Sequence, residues 1–284
     1  MNVAFRGGFG ETQFPGHVGF ALMLWRLSCR TTLLRDRLAW AISESTICEV
    51  FNRMIVVMYV KWSYLVLDLQ VDPILAKIFC GAIKDKGAPM PKCFAFLDGT
   101  LRKVARPVRK QQVLYNGWKR YHALKYQSVE TPDGIHRHLW GPEAGRRHDS
   151  TMLADSGLED TLMHNFNDHN GEAWYLFADA GYALSPWIMT PYKGNLNAGQ
   201  RLFNKDFSKV RVAVEWGFGR IVALFPFIDS PKQQQVLLSS CGLGRQFIVA
   251  GFLTNCRTCF YGNTTSKRFD VSPPSIVDYV NGDG

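Results

Sequence analysis

Two aspartates in this chain each end a short run of apolar and aromatic residues: Asp98 after Lys92 to Leu97, and Asp179 after Trp174 to Ala178. In open α/β sheets the ends of buried strands are where loops build a site, so two acids far apart in sequence can meet there. Glu215 lies on a later helical segment long enough to reach across a sheet, and Asp149, in Arg146-Arg147-His148-Asp149, opens another. Four carboxylates in one place would repel one another, because like charges a few ångströms apart raise each other's pKa values. Divalent cations relieve that repulsion. Hard oxygen donors suit Mg²⁺ or Mn²⁺, and two such ions about 4 Å apart can activate a water and stabilise the leaving oxygen of a phosphodiester. Each acid also has an ordinary structural explanation. Asp98-Gly99 is a turn dipeptide, Asp149 can cap a helix, Asp179 precedes a Gly-containing turn, and Glu215 can pair with Arg211 one helical turn earlier.

A basic stretch begins four residues after Asp98. With 33 Lys and Arg against 24 Asp and Glu, the formal net charge is +9. Arg102, Lys103, Arg106, Arg109, Lys110, Lys119, Arg120 and Lys125 lie between Leu101 and Ser128 without an intervening acid. Interleaved with them are Tyr115, Trp118, Tyr121 and Tyr126, a mixture able to neutralise phosphates and lay flat rings against sugars or bases. Polyanion binding is the functional reading; a solvated basic face over core aromatics is the structural one.

These groups must be held by ordinary globular elements. Apolar residues make up 46% of the 284 and charged residues 20%, a composition that excludes a disordered or collagenous chain. The longest apolar runs, Met54 to Val60 and Phe247 to Leu253, are far short of a bilayer span, so no membrane segment is expected. Residues 1 to 16 lack the pattern of a secretory signal. Seven scattered cysteines point to a reducing compartment, and Cys256 and Cys259 read as small, partly buried side chains rather than a metal or redox pair.

The stretch from His17 to about Val71 reads as helical. Thr31 to Trp40 is followed by a polar break at Ser43, Glu44 and Ser45. One amphipathic helix then runs over Thr46 to Met58, with Ile47, Val50, Phe51, Met54 and Ile55 at helical spacing, compatible with a helix-turn-helix. Lys92 to Leu97 is expected as a strand stopping at Asp98-Gly99-Thr100. Tyr121 to Val129 and Ile135 to Leu139 form a hairpin about Pro132-Asp133-Gly134, Asp149 to Asn165 a helix, Trp174 to Ala178 a strand and Asn204 to Leu224 a helix. That order predicts an α/β domain with a mixed sheet.

Several ordered motifs carry a resemblance. F-L-D-G-T at 96–100, Y-N-G-W-K-R-Y-H-A-L-K-Y-Q at 115–127, P-D-G at 132–134, G-P-E-A-G-R-R-H-D at 141–149, A-D-A-G-Y at 178–182 and R-V-A-V-E-W-G-F-G at 211–219 resemble the DDE domain of Harbinger-type transposases and the nucleases derived from them. The resemblance implies an RNase H-like mixed sheet flanked by helices over residues 91–262. Ahead of it would stand a helical N-terminal region, 1–90, with the helix-turn-helix-like segment, and behind it a C-terminal tail, 263–284. It further implies metal-dependent cleavage of DNA at transposon ends, with strand transfer to target DNA. Catalysis falls on Asp98, Asp179 and Glu215, and Mg²⁺ or Mn²⁺ ligation on these three with Asp149. It implies location in the nucleus, DNA as substrate and a Myb-like DNA-binding partner, and it allows a homo-oligomer. Ala178 stands where the family often has Gly, Ala183 where Pro commonly follows the Tyr, and Ala39 where Gly is usual in the helix-turn-helix. Relatives carry further helices ahead of the position of His17, so the N-terminus is expected to be short relative to them. A domesticated, catalytically silent DNA-binding scaffold and a hydrolase of small phosphate esters are the competing readings.

Overall fold

The computed structural model describes residues 2–7, 10–109, 111–167, 170–236 and 242–282. An N-terminal antiparallel hairpin, β1 (Asn2–Gly7) and β2 (Gly10–Pro15), leads into helices α1 (Gly16–Ser28), α2 (Leu33–Trp40), α3 (Glu44–Trp62), α4 (Tyr64–Leu67) and α5 (Pro73–Asp85). There follow β3 (Cys93–Lys103), α6 (Gln111–Leu114), β4 (Tyr115–Asn116), β5 (Tyr121–Glu130), β6 (His136–Ala144), α7 (Asp149–Asp155), α8 (Leu158–Asn165), β7 (Tyr175–Ala178) and β8 (Ile188–Met189). The long helix α9 (Ala198–Leu224), a 3-10 turn at Pro226–Asp229, and α10 (Leu243–Tyr261), α11 (Thr264–Phe269) and α12 (Ile276–Asn281) complete the chain.

The central sheet is mixed. β6, β5 and β3 run antiparallel, β3, β7 and β8 run parallel, and β4 pairs with the start of β5. Side chains alternate across it, as the two-residue period of a strand requires. Phe96 and Phe177 face Phe207 and Val210 of α9, while Leu97 and Ala178 face Leu153, Leu158 and Leu162 of α7 and α8. Both strands are thus covered on both sides, which is why their sequences read as unbroken apolar runs. A separate core joins Leu22, Val50, Phe51 and Ile55 of α1 and α3 to Phe247 and Ile248 of α10.

α3 starts where the polar break predicts, with Ser43 Oγ accepting from the Thr46 amide at 3.1 Å. It extends beyond the expected Met58 to Trp62, and packs against α1, α2 and α10. α2 ends at Ala41, which adopts a left-handed conformation (φ 55°). Four expectations need correction. The N-terminal region, expected to be all-helical, opens instead with the paired strands β1 and β2. β3 does not stop at Asp98: its parallel pairing to β7 ends at Leu97↔Ala178, but its antiparallel pairing to β5 continues to Lys103↔Ala123. The helix expected over Asp149 to Asn165 is two, divided at Gly157, whose φ of 67° lies in the region that glycine enters without steric cost. The later helix starts earlier than Asn204, at an Asn197 capping box with Gln200.

The hairpin turn between β5 and β6 is buried by the C-terminal segment. Asn263 Nδ2 donates to the Gly134 carbonyl at 2.9 Å, Asn255 bonds both the amide and the carbonyl of His136, and Thr265 Oγ1 donates to Glu130 Oε1 at 2.8 Å. Arg220 of α9 pairs with the same carboxylate. Burial pushes the Glu130 carboxyl upward, against the pull of Arg220 and Thr265. α9 can lie this close because Gly217 has no side chain; a Cβ there would overlap the Glu130 carboxylate and stand 2.7 Å from His136 Cε1. Gly219, two positions on, faces open space. Gly217→Ala should therefore destabilise the protein by about 1–3 kcal/mol, while Gly219→Ala stabilises it by up to about 1 kcal/mol through helix propensity. Chemical denaturation of the two variants checks the opposite signs.

Candidate functional site

The register of β3 and β7 sets the site. Leu97↔Ala178 is the last parallel pair, so Asp98 and Asp179 follow at once on neighbouring strands, which lie about 4.8 Å apart. By alternation Asp98 falls on the same face as Phe96, toward α9. Its side chain is 15% exposed and its Oδ1 lies 3.6 Å from Arg211 Nη1. Burial chiefly raises the Asp98 carboxyl to about 6; Arg211 opposes the rise, and Asp179 and Glu215 add to it by like-charge repulsion. Asp179 and Glu215 are thus each near enough for their charge to act on Asp98. The chain leaves Asp179 in a tight turn, with the Gly181 amide donating to Asp179 Oδ1 and the Tyr182 amide to the Asp179 carbonyl.

Asp149, the first residue of α7, lies across both strand ends. Its Oδ1 stands 2.6 Å from where a Cβ on Gly99 would be, and its Oδ2 2.7 Å from the equivalent point on Gly181. That contact explains why glycine closely follows each strand-end aspartate. Ser150 Oγ donates to the Gly181 carbonyl at 3.1 Å and fixes α7 to the same loop. Lys125, buried on β5, places its Nζ 2.8 Å from Asp149 Oδ1 and donates to the Arg147 carbonyl at 2.9 Å. The Tyr182 hydroxyl is buried beside these acids without a hydrogen-bond partner among the described residues. Burial, then the charges of Asp149, Asp98 and Asp179, pushes its pKa well up, so it stays protonated.

Glu215 is placed differently. Its side chain is 53% exposed, and its Oε1 accepts from Arg211 Nη2 at 3.0 Å, the i, i+4 pairing that its sequence position allows. Arg211 therefore stands between Asp98 and Glu215. Among the described residues no three Asp, Glu, His or Cys side chains gather closely enough to hold a metal ion as they stand; Arg211 and Lys125 supply the positive charge beside the acids. The donor set nonetheless fits a hard divalent ion in kind: oxygen ligands, mutual repulsion at Asp98, and an unpartnered Tyr182 hydroxyl.

The eight cations divide. Arg102 and Lys125 are turned inward and do not face a polyanion, a correction to the reading of the stretch as one surface. Arg102 bonds Thr100, lies 3.5 Å from Asp229 and sits over the Phe247 ring, and burial lowers its pKa. Lys103, Arg106, Arg109, Lys119 and Arg120 are exposed, with Lys103 over the Tyr121 ring and Arg106 donating to Gln111. Lys110 lies outside the described residues. Tyr126 is a core residue stacked on Phe247. Cys256 and Cys259 are partly buried on α10, and burial pushes their thiols up to about 12 and about 11, which favours the protonated form.

Sequence reasoning missed Tyr182 and the inward roles of Arg211 and Lys125. One signal was available: Lys125 is the sole charge between Ala123 and Val129, and an isolated lysine in a strand interior implies a buried partner.

Residues 97–255, more than half of the chain, match the family described as DDE superfamily endonuclease, and the chain belongs to that family. A curated Arabidopsis thaliana relative, described as Protein ALP1-like, is 24% identical over 215 residues, covering 71% of this chain and 51% of its own length. The chain thus spans about half the length of that relative. No solved structure matches.

The Asp98 carboxyl predicts a pH dependence. Its native pKa of about 6 exceeds the ordinary 3.8, so between those values the native state binds more protons than the unfolded chain. Stability falls as pH rises through this window, and the penalty is complete above it. With divalent ions chelated, Asp98→Asn should gain on the order of 2 kcal/mol over the wild type at pH 7.5 and nothing at pH 3.5. Denaturation curves at the two pH values measure the difference.

Proposed function

We propose that the chain is a metal-dependent DNA endonuclease or transposase with an RNase H-like core. It would cut phosphodiester bonds at transposon ends and pass the freed 3′ hydroxyl to target DNA. The observation that carries this reading is the placement of Asp98 and Asp179 immediately after the last parallel pair of two adjacent buried strands, within the family match. Asp98 and Asp179, with Glu215 and Asp149, would hold Mg²⁺ or Mn²⁺. Such ions would supply charge neutralisation at the phosphate and an activated water. Arg211 must leave Asp98 and Glu215 for both to become ligands, and would then offer its charge to a phosphate. Tyr182 keeps its proton and can donate to one of the carboxylates. Lys103, Arg106, Arg109, Lys119 and Arg120 hold the strand by phosphate contact. The same reading places the protein in the nucleus, with a Myb-like partner or α3 contributing sequence recognition, and it accommodates a homo-oligomer.

A second reading has one observation in its favour: Arg211 and Lys125 already neutralise the acids, as they would in a domesticated scaffold that binds DNA without cutting it. Labelled DNA incubated with purified protein and Mn²⁺ separates the two. Nicking that falls about a thousandfold in both Asp98→Asn and Asp179→Asn, the several kcal/mol that bound metal contributes, supports the endonuclease. Nicking unchanged in Asp98→Asn overturns the site. Salt-sensitive binding without nicking in either metal favours the scaffold. In the same binding assay, replacing Lys119 or Arg120 by Ala should reduce the slope of log affinity against log salt by about 1 each, across DNA sequences alike.

A further inference from the structure

Trp118 is 89% exposed, against 41% for Trp25, the next most exposed of the eight tryptophans. An indole in water forgoes the burial of its large apolar surface, and this fold has extensive cores in which other tryptophans find cover. The turn that presents it is well defined. Asn116 Oδ1 accepts from the Lys119 amide at 2.8 Å, and the Asn116 carbonyl accepts from the Arg120 amide at 2.8 Å. Arg120 takes a left-handed φ of 58° to close the turn. The ring is thus held out by a formed loop. Lys119 and Arg120, both exposed, follow it directly in the chain.

The loop is also tied to the acids. Asn116 Nδ2 donates to the Gly145 carbonyl at 2.6 Å, and four residues, at most about 14 Å of extended chain, separate Gly145 from Asp149. The Gly145 amide in turn bonds the Ala123 carbonyl on β5 at 3.0 Å, and Lys125 of the same strand pairs with Asp149. One hydrogen-bonded set of segments therefore carries an exposed aromatic ring followed by two cations and connects it to Asp149.

We propose that Trp118 stacks on an unpaired nucleobase close to the scissile phosphate, with Lys119 and Arg120 gripping neighbouring phosphates. This rests on the reading of the chain as a DNA-cleaving protein and adds the form of the substrate: DNA locally opened rather than fully paired. An exposed flat π-surface next to two cations matches a base and its neighbouring phosphates, whereas a paired duplex offers the ring no free face.

The test compares Trp118→Ala and Trp118→Phe with the wild-type protein on two DNAs of equal length, one fully paired and one carrying a single unpaired 2-aminopurine. Because the ring touches nothing in the core, unchanged thermal melts should accompany both variants. The expected result is a loss of affinity of roughly tenfold or more for the unpaired DNA in Trp118→Ala, with less than twofold change on the paired DNA, and substantial retention in Trp118→Phe. Quenching of 2-aminopurine fluorescence by the wild type should disappear in Trp118→Ala. Equal losses on both DNAs, or no loss on either, overturn the stacking role. In the latter case persistent salt-sensitive binding with Asp98-dependent nicking leaves the endonuclease reading standing. Wild-type protein that binds neither DNA defeats both.

Discussion

Carboxylates crowded at the end of two buried strands repel one another and resist losing water, so something positive must stand among them. In this protein that charge comes from two side chains, Arg211 against Asp98 and Glu215 and Lys125 against Asp149. Much of the surrounding architecture serves this balance. α9 brings Arg211 to the strand ends, β5 delivers Lys125 from below, and α7 lays Asp149 over the backbone of Gly99 and Gly181. Even so, Asp98 stays raised toward neutral pH, because burial and its acidic neighbours outweigh the single guanidinium.

The glycines show how tightly backbone and charge are linked. Gly99 sits inside a strand, where the lack of a side chain ordinarily weakens the sheet. Here the vacant Cβ position is filled by a carboxylate from another element, so the local cost is exchanged for the proximity of two acids. Gly217 performs the same office on α9, letting the helix press on Glu130 and His136.

Much of this order can be read from the residues alone, for definite reasons. The runs at 93–97 and 175–178 are apolar throughout because helices cover both faces of β3 and β7, and the acids that end them stand out against that background. Ser43 announces α3, and Pro132-Asp133-Gly134 announces the hairpin. The extent of β3 was not legible: Asp98-Gly99-Thr100 has the composition of a turn, and only the antiparallel neighbour β5, distant in sequence, holds it extended. The charge of Arg102 looks the same in sequence as that of Lys119, and its direction is set by Asp229 and Phe247, more than a hundred residues away. The N-terminal hairpin, in a Gly-rich polar stretch, gave no apolar face to recognise. Pairing of Glu215 with Arg211 was foreseeable from their spacing, but the approach of Arg211 to Asp98 depends on how α9 crosses the sheet.

The grip of the last helices on the β5–β6 turn has a consequence for synthesis. Gly134 and Glu130 find their partners in Asn263 and Thr265, 129 and 135 positions later. Those residues lie beyond the family-matched segment ending at 255. A chain made only as far as the last strand of the sheet lacks both Arg220 and Thr265, the partners of the Glu130 carboxylate. The turn is therefore fully bonded only once residues 263–265 are in place, so the hairpin of the sheet and the helices after α10 depend on one another.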